Sequence, residues 1–117
     1  MLLKEAQNLY KKSEIQREAK KKEEKNLLDQ KNKKEFLEGK KYFKKVRRKE
    51  INKYILEAIK EGDSEAYDRF HDDSSFDSGQ LAEAKKYYES KGYKVEITYG
   101  DFYEVPMRFL NISGWKK

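Results

Sequence analysis

Residues 11–35 constrain the fold more than any other stretch of this chain, because nearly all of them are polar. Good helix formers (Lys, Glu, Gln, Ala and Leu) together dominate the stretch, and it contains neither proline nor glycine. Pairs such as Glu18/Lys22 and Asp29/Lys33 have the spacing and order that stabilise a helix surface. The few apolar side chains do not make a continuous heptad seam. A solvated helix, fully or partly ordered in the free chain, is therefore predicted.

Charge divides the chain into a basic N-terminal part and a mildly acidic C-terminal part. Of the 117 residues, 43% are charged, against about 25% in an ordinary globular domain. Residues 11–50 hold 17 Lys/Arg and 8 Asp/Glu, a balance of +9, whereas residues 51–117 hold 10 and 13, a balance of −3. We therefore predict a charged helical arm over residues 1–50 and a compact body over residues 51–117. Basic arms favour nucleic acid, anionic membranes or acidic protein surfaces.

Composition argues against several classes of protein. The chain has no cysteine, which rules out disulfides, a thiolate nucleophile and cysteine-based zinc sites and suits a cytoplasmic protein. No run of about 18 apolar residues is available to cross a membrane. Charge begins at Lys4, so the start of the sequence does not read as a secretory signal.

The candidate binding site is the stretch over residues 40–49, which holds seven cations, no acid and two aromatic residues. On a helix these cations can follow phosphates or meet an acidic protein surface. The alternative is a solubilising helix surface with Phe43 tucked against the body. Membrane-surface binding is disfavoured, because charge interrupts the apolar face. The candidate contact residues are Lys40, Lys41, Tyr42, Lys44, Lys45, Arg47, Arg48 and Lys49.

The same helix is expected to pass from the exterior into the body near residue 50. Projection at about 100° per residue places Ile51 and Tyr54 on one face, with Ile55 at its edge and Arg47 in its middle. Burying Arg47 without an anion is costly. Residues 51–59 are therefore expected to pack inward, and the basic stretch before them to project from the body.

Local signals predict two further helices. Gly62 suits the left-handed position after a helix, and a short helix is predicted over about 65–71. Another helix is predicted over about 80–91. Gly92 ends that helix in a Schellman motif.

Two antiparallel strands follow. Residues 93–99 alternate between apolar and polar, as a half-buried strand does. Gly100 and Asp101 are predicted to form the turn, and the second strand runs over about 102–112. Pro106 lacks an N–H group, which predicts that this strand, or this part of it, lies at a sheet edge. The class is α+β, with helices packed on a two- or three-stranded antiparallel sheet.

Catalysis is poorly supported by the residues. His71, the single histidine, precedes an acidic loop that reads as a solvated surface rather than a metal site. An EF-hand count from Asp73 fails, because Ser78 stands at position 6 and Ala84 at position 12. We predict a protein that is not an enzyme and that uses no metal or cofactor.

Two other sets of side chains have alternative interpretations. The hairpin aromatics can form a stacking platform for single-stranded nucleic acid, or they can serve core and edge packing. These residues are Tyr93, Tyr99, Phe102, Tyr103 and Phe109. The arm leucines can pack on the chain's own body, or on a partner or second copy. The candidate oligomerisation residues are Leu2, Leu9, Leu27 and Leu28.

The segment from Ala84 to Ile97, with Leu110 to Trp115 after it, resembles the α-β-β tail of small accessory proteins of bacteriophages. The resemblance implies a non-enzymatic protein that binds host or viral machinery, including inhibitors of host defence nucleases. No functional residue is carried over from it.

Our leading hypothesis is a protein that docks on and modulates a larger nucleic-acid-handling protein or nucleoprotein through its basic helix. Direct DNA or RNA binding by the arm is the first alternative. An oligomerising structural component is the second.

Overall fold

The computed structural model describes residues 2–116 and confirms the α+β class. Its elements, in chain order, are α1 (Leu3–Tyr42), a π-helical turn (Phe43–Arg47), α2 (Arg48–Lys60), β1 (Glu65–His71), α3 (Ser75–Ser90), β2 (Lys94–Phe102) and β3 (Val105–Ser113). We call the second of these elements the π-turn.

The chain divides into two units, one ending at Asn32 and the other beginning at Lys33. Every described residue of the first unit is exposed, as the polar composition predicts. The second unit contains the end of α1 and all later elements, so it begins well before the boundary expected at residue 50. The reason is that the basic stretch is not solvated on all sides, since Phe43 in its middle is fully buried.

The sheet has three antiparallel strands in the order β1-β3-β2, so β3 is central. Helices α2 and α3 cover the face that carries Leu110 and Ile112 of β3. The other face is exposed at Tyr67, Glu96 and Thr98. The core cluster consists of Phe43, Ile51, Ile55, Ala58, Ala66, Phe70, Leu81, Ala84, Tyr88, Leu110 and Ile112.

Residues 65–71 form strand β1, so the short helix predicted there is wrong. Ala66 and Phe70 are buried on the core side, with the half-buried Asp68 between them, while Tyr67 and Arg69 point the other way. The helix prediction rested on capping residues alone. Pairing of the whole segment with β3 overrides that local preference, because strand formation depends on cross-strand packing.

Helix α3 begins at Ser75 rather than near residue 80. Ser74 is its N-cap, and the Ser74 Oγ accepts a hydrogen bond from the Asp77 backbone N–H at 3.1 Å. The added turn places Gly79 inside the helix, where α3 meets the end of α1. A Cβ on Gly79 would collide with the backbone of Phe36 on α1. Glycine is therefore needed for two helix backbones to approach this closely.

The structure confirms the two helix ends that were predicted from Gly62 and Gly92. Gly62 and Gly92 have φ values of +82° and +92°. After Gly92, the Tyr93 N–H donates to the Tyr88 carbonyl at 3.0 Å, which is the long hydrogen bond of a Schellman motif. The chain reversals at both positions follow from local sequence.

The hairpin is confirmed, but its turn differs from the prediction. Tyr103 and Glu104 form the turn, with φ values of +49° and +65°, so Gly100 continues the strand. β3 is the central strand, but Pro106 lies beyond its pairing with β1, so this part of the strand lies at a sheet edge, as predicted. Pro106 stands one residue beyond the last β1 pair, which joins His71 to Met107, so its missing N–H leaves the β1 ladder intact.

Candidate functional site

The π-turn determines which side of the basic helix faces the core. Steps of four residues drift by about 40° along an uninterrupted α-helix. One extra residue in a turn rotates everything after it by about 100°, which offsets that drift. As a result Phe43, Arg47, Ile51 and Ile55 all face the body, and the three apolar members are buried.

The same rotation corrects the predicted face of α2. Tyr54 was expected to point inward but is 40% exposed, whereas Ile55, expected at the edge, is buried. Projection at about 100° per residue fails here, because it treats residues 43–47 as an ordinary α-helical turn and they form the π-turn. No residue type in that stretch signals the extra residue.

Arg47 finds its anion within the same chain. Its Nε donates to Asp68 Oδ2 at 2.9 Å and its Nη2 donates to the Arg69 carbonyl at 2.9 Å. The guanidinium also lies over the Phe70 ring, 4.5 Å from the centroid. The expectation that residue 47 projects from the body is therefore wrong. Asp68 supplies the charge that sequence analysis lacked, because that residue was assigned to a helix.

The other large side chains of the basic stretch also contact the body. The Tyr42 ring lies 5.3 Å from Phe76 on α3, between centroids. Arg48 lies over the Tyr87 ring at 5.1 Å. Lys40 instead packs on its own helix, half-buried over the Phe36 ring of the preceding turn at 5.0 Å. The stretch is thus held to the body by its arginines and aromatic residues.

The cations of the stretch that stay exposed to solvent are lysines. Lys41, Lys45 and Lys49 are exposed, and none of them forms an ion pair with any of residues 2–116. Lys44 is also exposed, but its Nζ lies 3.4 Å from Glu83 Oε1. Lys53 is also exposed and continues the four-residue spacing of Lys41, Lys45 and Lys49. Its Nζ lies 4.0 Å from Glu57 Oε1 on the next helical turn.

Lys41, Lys45, Lys49 and Lys53 form one row on the side of the helix away from the core, which we call the lysine row. The π-turn that aligns the inward side chains also aligns this row, because both sets share the four-residue spacing. At a rise of 1.5 Å per residue, the row spans about 18 Å with a charge about every 6 Å. Both side chains of the ion pair between Lys53 and Glu57 are exposed to solvent, and such an exposed pair interacts only weakly.

Tyr88 anchors the helix that carries the end of the row. Its hydroxyl donates to Asn52 Oδ1 at 2.7 Å, joining α3 to α2. Burial raises the pKa of the Tyr88 hydroxyl, and the neighbouring Tyr87 adds to the shift. The hydroxyl therefore stays protonated at neutral pH and remains a donor.

The structure separates the five hairpin aromatics that were considered together. Tyr93 packs against the core cluster, with Trp115 at 6.3 Å between ring centroids. Phe102 and Tyr103 lie at the hairpin tip. Phe109 lies on the open face of the sheet, where Arg69 is its cross-strand partner. Two residues beside them, Tyr67 and Arg69, were not among the predicted site residues. Alternation within residues 65–71 was the signal that could have found them.

The arm leucines are all exposed, with fractions of 73% for Leu2, 53% for Leu9, 66% for Leu27 and 56% for Leu28. They belong to the first unit. Oligomerisation through them stays a prediction.

The acidic loop is organised by the protein itself. The His71 N–H donates to Asp77 Oδ2 at 2.6 Å, and Arg108 Nη2 donates to the His71 carbonyl at 2.6 Å. Residues 2–116 contain no cluster of three or more His, Cys, Asp or Glu side chains placed to hold a metal ion. Over the same residues, the helices are too polar or too short to cross a membrane.

No family model, curated protein or solved structure matches this chain. The resemblance of the C-terminal segment to bacteriophage accessory proteins therefore stays a prediction.

Proposed function

We propose that this protein is a non-enzymatic binding protein whose lysine row binds the phosphate backbone of nucleic acid. One observation carries the proposal. The arginines and aromatic residues of the basic stretch contact the protein's own body, and the cations of the stretch that stay exposed are lysines.

The residue type favours phosphates over a specific protein surface. Binding energy at protein interfaces concentrates on Trp, Tyr and Arg, and Arg47, Arg48 and Tyr42 are already in use. Lysine is a compact charge on a flexible stem, suited to neutralising a phosphate without fixed geometry. We therefore place direct nucleic-acid binding, the first alternative from the sequence, ahead of docking on a protein.

The distribution of charge along the chain also favours nucleic-acid binding over docking on a protein. Residues 33–50 hold 9 Lys/Arg and 3 Asp/Glu, a balance of +6, while residues 1–32 hold 9 and 6, a balance of +3. Asp68 neutralises Arg47 and Glu83 lies against Lys44, which leaves seven cations of that segment outside these two pairs, and three of the seven belong to the lysine row.

A second candidate is docking on a larger nucleic-acid-handling protein that this chain modulates, in the manner the bacteriophage resemblance implies. The exposed apolar side chains of the first unit favour it, among them Leu9 and Leu27. On this candidate the leucines supply the apolar contact and the lysine row adds steering by charge.

The test measures fluorescence anisotropy of a labelled single-stranded oligonucleotide across a salt series. Each neutralised phosphate contributes about −0.7 to the slope of log K against log salt. Lys41→Gln, Lys45→Gln and Lys49→Gln together should therefore make the slope less steep by about 2.

The matched control changes the same number of exposed lysines elsewhere, as Lys85→Gln, Lys86→Gln and Lys116→Gln. This control should leave the slope as it is in the unmodified protein. Equal slopes for both triple variants would overturn the proposal. Binding that needs a protein from cell extract, survives nuclease and is lost with Leu9→Asp would support the second candidate instead.

A further inference from the structure

A pocket of about 410 Å³ lies beside β1, where the π-turn meets the tip of the hairpin. Its walls include Arg47, Arg69, Phe102, Tyr103 and Met107. Since Arg47 faces the body, the pocket lies on the opposite side of the helical segment from the lysine row. Its volume is in the range of small-ligand sites.

Arg69 is held in this pocket with its donors unused. The guanidinium carbon lies 3.7 Å from the centroid of the Phe102 ring. Within residues 2–116, the guanidinium makes no hydrogen bond and no ion pair; the hydrogen bonds of Arg69 involve its backbone N–H and carbonyl. Contact with the ring holds the guanidinium in the pocket, and its N–H donors are available to a bidentate acceptor.

Tyr103 presents a second aromatic surface at the same place. Its side chain is 87% exposed, and its ring lies 4.5 Å from Phe102 in an edge arrangement. The residue has a φ of +49°, a conformation that is uncommon for tyrosine and that hairpin turns usually assign to Asn or Gly. A strained backbone that exposes a large ring is a feature found at ligand sites.

The charge of the pocket selects an anionic ligand. Asp68 is the acid in its lining, and it already pairs with Arg47. Arg69 therefore leaves one uncompensated positive charge beside two aromatic rings. A ligand that fits has a flat ring and a negative group within a few ångströms of each other, which is the chemistry of a nucleotide.

We propose that this pocket binds one unpaired nucleotide of a nucleic-acid strand. The base stacks on the exposed ring of Tyr103, which stands edge-on to the Phe102 ring beneath Arg69, and the adjoining phosphate accepts hydrogen bonds from Arg69. This inference rests on the proposed function and deepens it, because it identifies the ligand as single-stranded.

The experiment compares an oligothymidylate with an abasic strand of the same length, each labelled and measured by anisotropy at one salt concentration. Both strands carry the same phosphates, so the ratio of their affinities isolates the base. The unmodified protein should bind the oligothymidylate about tenfold more tightly than the abasic strand.

Tyr103→Asn removes the ring while keeping a residue that accepts a positive φ. This variant should lose most of the preference for thymidine and keep its affinity for the abasic strand. Arg69→Gln should weaken binding of both strands, because the phosphate is common to them. The matched control is Tyr99→Thr, which removes an exposed strand tyrosine that does not line the pocket.

Equal affinity for the two strands would overturn the pocket while leaving the proposed function intact, provided that binding still depends on the lysine row. Failure of both strands to bind would overturn both proposals. Competition by thymidine 5′-monophosphate distinguishes the source of the nucleotide. A strand-bound nucleotide predicts weak competition, and displacement by the free nucleotide at equal concentration would assign the pocket to free nucleotides instead.

Discussion

Arg47 should stabilise the fold without acting as a phosphate contact, and Arg47→Gln tests that assignment. The change removes the guanidinium hydrogen bonds to Asp68 and to the Arg69 carbonyl. Hydrogen bonds to charged groups contribute about 1.5–3 kcal/mol each, and the contact with the Phe70 ring adds about 0.5–1 kcal/mol. The paired side chains are 22% and 15% exposed, so solvent reduces the sum. We expect the free energy of unfolding to fall by about 2–3 kcal/mol.

Urea denaturation followed by Trp115 fluorescence measures this loss. Trp115 is the single tryptophan, and its Nε1 donates to the Asp63 carbonyl at 2.9 Å, so its emission reports on the body. A double-mutant cycle with Asp68→Asn should give a coupling energy of about 1–2 kcal/mol between the two side chains.

The salt slope for nucleic acid provides the second measurement on Arg47→Gln. At a temperature where the variant is folded, its slope should equal that of the unmodified protein, because Arg47 already has its anion. A stability loss below about 0.5 kcal/mol, which is typical of an ordinary surface substitution, would refute the reasoning. A slope that falls as far as in the lysine-row variant would refute it equally.

Two further predictions concern the π-turn and Tyr88. Deleting Val46 should convert the π-turn into an α-helical turn and lower the free energy of unfolding by less than about 1 kcal/mol. Deleting Lys53 should instead rotate Ile55 out of the core by about 100° and unfold the body. Circular dichroism during heating measures both variants. Equal melting temperatures for the two deletions would contradict this account. Burial raises the pKa of Tyr88 in the folded state above the value of about 10 that it has in the unfolded chain. The contribution of Tyr88 to the free energy of unfolding is therefore constant below about pH 10. It falls as the pH rises above this value, by up to about 1.4 kcal/mol per pH unit. Tyr88→Phe should remove that part of the pH dependence in urea titrations at pH 9 to 12, and should cost about 1 kcal/mol at neutral pH through the lost hydrogen bond to Asn52.

Much of the candidate site depends on contacts that sequence patterns do not contain. Three of the four lysines of the row, all except Lys53, belonged to the predicted basic cluster, but nothing in the sequence separated them from Arg47 and Arg48. That separation needed the partners, Asp68 and the Tyr87 ring, which lie far along the chain. The pocket residues Arg69 and Tyr103 were placed in a helix and in a strand, so their proximity could not be predicted.

The sequence by itself determined the features that depend on neighbouring residues. A polar stretch without proline or glycine gave an exposed helix, Gly62 and Gly92 ended helices, and alternation gave the hairpin. These signals act over a few residues, where backbone conformation and side-chain spacing decide the outcome.

The tertiary structure decided the rest. Residues 65–71 became a strand only because β3 was there to pair with, and Arg47 could turn inward only because that strand carried Asp68. The π-turn kept four inward side chains in line and placed the lysines opposite them. Each of these outcomes is set by packing between segments distant in sequence, whose free energy exceeds the small local preferences that a sequence displays.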